Sequence, residues 1–192
     1  MKRKRRIAVL ASGSGSNARA IMAHFQNNPN AEVVLIGTNR SAAGVLKHAD
    51  SFGIPTYVFT KTMLQSGEVL AYLQSLNLDL IALAGFLLHV PAEMVAAFPQ
   101  RIVNIHPSLL PKYGGAGMYG MHVHEAVKAA GETLSGPTIH FVNEHYDEGA
   151  IVFQATVELS DSDSADDIAH KVLLLEHTYY PIVLENLCKA FD

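Results

Sequence analysis

The period of apolar and polar positions changes repeatedly along the chain. Short runs rich in Val, Ile and Leu, such as "IAVLA" and "VVLIG", alternate with longer stretches in which apolar residues recur every three or four positions. That alternation predicts βα units around a largely parallel sheet, an α/β fold. Strands are expected near 7–11, 32–37, 56–59, 78–84, 101–105, 136–142 and 150–157, and helices near 17–26, 42–52, 64–76, 92–97, 123–130 and 164–187. The last helix opens with "SDSADD", hydroxyls and acids suited to a helix start, and Pro181 is expected to kink or interrupt it.

No internal repeat, low-complexity segment or linker separates these elements, and 192 residues predict one domain spanning 1–192. The one extended irregular stretch is 106–121, "HPSLLPKYGGAGMYGM", and a long loop inside a compact domain usually serves function.

Composition narrows the class. The chain is 49% hydrophobic, enough for a real core, and its longest apolar run, "LIALAGFLL", is about half a membrane span. The single cysteine, Cys188, excludes a disulfide framework and reads as a small buried hydrophobe. The opening "MKRKRR" before "IAVLA" mimics a signal peptide, but the apolar run is too short and breaks into "SGSGSN". A cytoplasmic protein is expected. Net charge is −4, yet five of the 14 basic residues are Lys2, Arg3, Lys4, Arg5 and Arg6, which leaves nine against 18 acidic residues elsewhere. So acidic a body argues against a nucleic-acid surface and makes residues 1–6 a solvated basic tip.

The first candidate site is "ASGSGSN", between a strand and a helix. Glycines there expose backbone N–H groups at the positive end of the helix dipole, which suits a phosphate, with Ser14, Ser16 and Asn17 as further donors. A turn in which Ser16 merely caps the helix is the alternative. Gly13, Gly15 and Ala18 also fit G-x-G-x-x-[GA], but Asn39 stands where the dinucleotide reading wants an acid, so only an NADP variant using Arg40 survives.

A second constellation ends the strand "RIVNIH". Asn104 and His106, two apart, share a strand face at the carboxyl edge, where open α/β sheets bind ligands. An amide donor beside an imidazole suits negative charge growing on a carbonyl oxygen, although polar contacts tying down a strand end would look the same. In "TIHFVNEHYDEGA", Thr138 and His140 share a face, and Asp147 lies in a turn ended by Gly149, either reaching across a cleft or serving an Asx-turn. His122 and His124 lack a third metal ligand at a recognisable spacing and are expected on the surface.

Taken in order and spacing, "ASGSGSN", "LAGF", "NIHPSLLPKY", "GPTIHFVNEHYDEG" and "LEHTYYP" resemble the phosphoribosylglycinamide formyltransferase family, over nearly the whole chain. The resemblance implies a single-domain, Rossmann-like formyltransferase fold that moves the formyl group of 10-formyltetrahydrofolate, a cosubstrate, to the amine of glycinamide ribonucleotide in purine biosynthesis. It implies that Gly15, Ser16 and Asn17 hold the 5′-phosphate and that Glu176 orients the ribonucleotide. Asn104, His106 and Asp147 match the catalytic trio, and Leu87, Leu88, His89 and Val90 with Asn104 would line the folate pocket. Thr138 and His140 are expected to support Asp147. Without the resemblance, Glu176 reads as a solvated helix carboxylate.

The pattern also departs from the family. Gly67 stands where an arginine is common, leaving Lys61 as the nearest cation, and the loop 114–121 is longer than in many relatives. A formyltetrahydrofolate hydrolase or an NADP-binding oxidoreductase is the alternative reading. The expected partners are small molecules, with no nucleic acid, membrane or metal, in a monomer or homodimer.

Overall fold

The computed structural model describes residues 3–190. Its main sheet has seven strands in the order β3-β2-β1-β4-β5-β7-β8. These are β1 (Arg5–Leu10), β2 (Ala31–Thr38), β3 (Thr56–Val58), β4 (Leu80–Leu83), β5 (Ile102–His106), β7 (Thr138–Phe141) and β8 (Ile151–Gln154). The first five in that order run parallel, whereas β7 is antiparallel to β5 and β8 to β7. The helices are α1 (Ser16–Phe25), α2 (Val45–Phe52), α3 (Lys61–Gln65), α4 (Glu68–Ser75), α5 (Ala92–Ala97), α6 (Met121–Ala129) and α7 (Ala165–Ala190).

The strands read as continuous apolar runs because both sheet faces are covered. Ile7 and Val9 of β1 face a core with Ile21, Met22, Val45, Tyr180 and Leu184, while Ala8 and Leu10 face one with Leu64, Leu73, Met94 and Phe98. Thus α1, α2 and α7 pack on one face and α3, α4 and α5 on the other. Cys188 is buried in the first core, which pushes its thiol up to about 12.

Three expectations change. The single helix near 64–76 is two, broken at Gly67, whose φ of 86° is left-handed. The strand near 150–157 divides into β8 and β9 (Val157–Glu158), and β9 pairs with β6 (Leu134–Ser135) in a separate two-stranded sheet. Pro181 does not interrupt α7: the helix runs through it, and Tyr180, Val183, Leu184 and Cys188 stay in the core on either side. At the start of α7, Asp167 N–H donates to Ser164 Oγ (3.1 Å) and Ser164 N–H to Asp167 Oδ2 (2.9 Å), a capping box.

The basic tip is solvated only in part: Arg3 and Lys4 are exposed, whereas Arg5 and Arg6 are built into the fold. Arg5 and Arg6 open β1, Arg3 and Arg5 reach Asp79 Oδ1 at 2.9 and 3.1 Å, and the Arg6 backbone N–H donates to Asp79 Oδ2 at 2.8 Å. Burial raises the Asp79 carboxyl, but these donors outweigh it and hold the group below the ordinary carboxylate range. Lys2, also assigned to the tip, lies outside the described residues. Among the described residues no helix is long and apolar enough to cross a membrane.

The long helix is keyed to the sheet by one side chain. Tyr180, fully buried, directs its hydroxyl at the carbonyls of Leu83 (3.0 Å) and Val103 (2.9 Å), near the carboxyl ends of β4 and β5. Tyr180→Phe leaves these carbonyls without that donor and is expected to cost about 1–3 kcal/mol of stability, read from the urea midpoint at unchanged slope.

Candidate active site

A cavity of about 650 Å³ opens at the carboxyl ends of β1, β4 and β5. Its wall brings together Ser14, Ser16 and Asn17 from the first turn, Leu87 to Val90 from the β4–α5 loop, Asn104 and His106 from β5, His140, Asp147 and Glu176. Of the residues that the family resemblance assigns to the site, Gly15 and Thr138 do not line it.

Gly15 shapes the turn instead. Its φ of 79° is left-handed, and a Cβ there would lie 2.6 Å from the Val45 side chain, so only glycine fits. Helix α1 starts at Ser16 with no side-chain cap and no acid in its first turn. The capping alternative for Ser16 is therefore not what forms. The uncapped N–H groups and the dipole are left for an anion at the cavity wall. Among the described residues no lysine or arginine lines the cavity, so neutral donors would carry that recognition.

Two strand pairs build the opposite side. Asn104 lies across from His140 and His106 across from Thr138 in the β5–β7 register. His140 Nδ1 lies 2.9 Å from the Phe141 carbonyl, which can only accept, so Nδ1 carries the proton and Nε2 faces Asn104 Nδ2 at 3.1 Å. By the same argument His106 Nε2–H donates to the Tyr113 carbonyl at 2.8 Å, which turns Nδ1 to Asp147 Oδ2 at 3.4 Å. Asp147 Oδ1 lies 3.6 Å from His140 Nε2, and Oδ2 accepts the Gly115 N–H at 2.9 Å.

Burial raises the Asp147 carboxyl, but His140, the charge of His106 and the Gly115 N–H hold it below its ordinary value. The imidazole of His106 is lowered, because burial outweighs the pull of Asp147 and of the Tyr113 carbonyl. Asp147 thus pulls the imidazole upward without prevailing. Tyr113 and Asp147, with φ of 56° and 57°, are both left-handed and both touch His106, a conformation that costs about 1 kcal/mol or more each for residues with a Cβ.

Thr138 is buried away from Asp147. Its hydroxyl donates to the Ser108 carbonyl (2.6 Å) and accepts from Leu110 N–H (3.0 Å) and Gln154 Nε2 (2.8 Å). It therefore fastens the start of the long loop, whereas His140 contacts Asn104 and Asp147 directly.

Glu176 is not a solvated carboxylate. Only 7% exposed, it accepts one hydrogen bond, from Asn17 Nδ2 at 2.6 Å, and burial pushes its carboxyl up to about 7. Asn17 Oδ1 is buried without a partner beside it.

Sequence reasoning missed three participants. The Tyr113 carbonyl and the Gly115 N–H are backbone groups with no residue-type signal. His124, expected at the surface with His122, is instead 5% exposed, lines the cavity and has its Nδ1 buried without a partner. Its signal was its place in α6: residues two apart on a helix point to different sides, so His122 is exposed near Glu125 (3.6 Å) while His124 turns inward. Burial and the nearby His106 both lower the His124 imidazole.

The raised carboxyl of Glu176 has a thermodynamic signature. A carboxyl whose pKa rises from 4.5 unfolded to about 7 folded lends stability that is whole below pH 4.5 and is lost as pH rises through 7. Glu176→Gln, which keeps a carbonyl for Asn17, is expected to match the parent near pH 4.5. Above pH 8 it is expected to be more stable by up to about 3 kcal/mol, measured by urea unfolding across pH.

Residues 5–184 match the sequence profile of the formyl transferase family. The chain is 43% identical over 194 residues to the chloroplastic phosphoribosylglycinamide formyltransferase of Arabidopsis thaliana, an alignment that takes in 97% of this chain and 66% of that protein. The chain thus spans just under two thirds of the plant relative. It is 33% identical to the phosphoribosylglycinamide formyltransferase of Bacillus subtilis, covering 95% of this chain and 94% of that one. The crystal structure of phosphoribosylglycinamide formyltransferase from Anaplasma phagocytophilum superposes with a TM-score of 0.90 at 32% identity, over 98% of this chain and 88% of the other. With a mostly parallel sheet, an uncapped turn after β1 and the residues of "NIHPSLLPKY" at the end of β5, the chain belongs to the formyl transferase family.

Proposed function

We propose that this chain transfers the formyl group of 10-formyltetrahydrofolate to the amine of glycinamide ribonucleotide. The observation that carries the reading is that one cavity joins an uncapped helix start to Asn104, His106 and Asp147, with Glu176 on the same wall. A phosphorylated acceptor suits the first end and acyl chemistry the second. The relatives' names supply the acceptor and the formyl group, and the folate donor is what the family resemblance of the sequence implies.

The ribonucleotide phosphate binds the N–H groups after Gly15 with Ser16 and Asn17, and Glu176 orients the sugar end. The donor lies along Leu87, Leu88, His89 and Val90. The acceptor amine attacks the formyl carbon, and negative charge develops on the formyl oxygen. Asn104 Nδ2–H and His106 Nε2–H leave their resting partners, His140 and the Tyr113 carbonyl, to stabilise it.

The amine loses one proton and the departing folate nitrogen gains one as its bond to carbon breaks. His106 carries that proton, because Asp147 beside Nδ1 stabilises the doubly protonated ring that burial would otherwise disfavour. Both carboxylate oxygens of Asp147 are oriented by neighbours, so the stabilising charge stays at one place.

The test is release of the tetrahydrofolate product, followed by absorbance, with and without glycinamide ribonucleotide. Release that requires the ribonucleotide is expected; release without it would make the protein a hydrolase. His106→Ala and Asp147→Asn are each expected to lower turnover by at least about 10² with circular dichroism unchanged, and near-parent turnover in either removes that residue from the mechanism.

A further inference from the structure

The loop that carries Asp147 has few internal bonds. Between β7 and β8, Asn143 Oδ1 accepts the His145 N–H at 2.9 Å, which shapes the first turn only. Asp147 sits at a φ of 57°, which a non-glycine residue avoids without outside support. One support is the Gly115 N–H on the β5–α6 side.

The other side is supported by His89. From the β4–α5 loop, His89 Nε2–H donates to the Glu144 carbonyl at 3.1 Å, and its ring meets that of Tyr146 edge-on at a centroid distance of 4.7 Å. Tyr146 immediately precedes Asp147 in the chain. One side chain thus holds both the turn and the residue before the carboxylate, across 55 positions of sequence.

The pair also forms a wall. His89 and Tyr146, with Leu87 and Leu88, line both the 650 Å³ cavity and a second cavity of about 430 Å³ on the side of Lys61 and Glu93. A segment that lines the main cavity is therefore tied to the carboxylate beside His106.

We infer that His89 is a positioning residue: by clasping Glu144 and Tyr146 it fixes the Asp147 loop, and so couples the order of segment 87–90 to the placing of the carboxylate beside His106. A donor molecule that steadies 87–90 steadies Asp147 as well. The inference rests on the proposed formyl transfer only for its kinetic consequence; the clasp itself is independent of the reaction.

The experiment combines hydrogen exchange on the free protein with a double-mutant cycle at saturating substrates. In His89→Ala, amides of residues 143–148 are expected to exchange at least about fivefold faster, and kcat to fall about tenfold with the KM for the ribonucleotide unchanged. Tyr146→Ala is expected to do the same, and the double variant to be little worse than either alone. His89→Gln, whose amide can donate to the Glu144 carbonyl, is expected to recover much of both the protection and kcat.

Unchanged exchange in His89→Ala would overturn the clasp. An increase in donor KM at unchanged kcat would overturn the positioning role, since it would mean that His89 serves the donor by direct contact. Losses that multiply in the double variant would do likewise. If the parent protein transfers no formyl group, the functional reading fails by itself, and the exchange measurement alone decides the clasp.

Discussion

A carboxylate kept ionised in the wall of a half-open cavity is the constraint around which this site is built. Asp147 is partly withdrawn from water, which by itself favours the neutral acid, and the Gly115 N–H together with the two imidazoles beside its oxygens holds it below its ordinary value. That surrounding requires two histidines from adjacent strands and a backbone N–H from a loop that must lie against the carboxylate. Gly114 shows how near that loop comes: a Cβ there would meet Asp147 Cβ at 3.2 Å and Leu110 Cδ2 at 2.5 Å. The left-handed conformations of Tyr113 and Asp147 are the strain accepted for this arrangement.

The same cavity holds a second carboxyl in the opposite condition. Glu176 has one donor, Asn17, against nearly complete burial, and its carboxyl moves up where that of Asp147 moves down. The difference is one of partners and of depth together, since Glu176 is buried and Asp147 only partly so, and it divides the cavity into an end of fixed negative charge and an end that titrates near neutrality. Tyr180 makes this possible, since anchoring α7 at Leu83 and Val103 sets Glu176, one turn earlier on the same helix face, beside the uncapped start of α1.

Much of the fold was legible because covered parallel strands leave continuous apolar runs, and the βα alternation located every strand of the main sheet. The misplacements have local causes. Gly67 reads as tolerable within a helical pattern but takes a left-handed φ that ends α3, and the run after Ala150 gave no sign that its pairing partner changes from β7 to β6. In the site, Asn104 and His106 were visible through the period of two. Glu176 was visible only through family resemblance, because a lone carboxyl on a helix says nothing of what buries it. The donors to His106 and Asp147 from the backbone of Tyr113 and Gly115 carry no signal in residue type at all.

The position of the site follows from where the sheet stops being parallel. Period two places Ile102, Asn104 and His106 on one face of β5 and Val103 and Ile105 on the other, and the second set packs under α1 and α7. Parallel strands must be joined by a crossover, so their faces gain helices; an antiparallel pair can be joined directly. Because β7 returns to β8 without a helix, the polar face of Asn104, His106 and His140 is roofed by loops, one of which brings Asp147. Helices α6 and α7 each bring a single polar side chain to the cavity, His124 and Glu176. The loops add the Gly115 backbone donor and the Asp147 carboxylate, which is how a partly buried anion is held at this edge of the sheet.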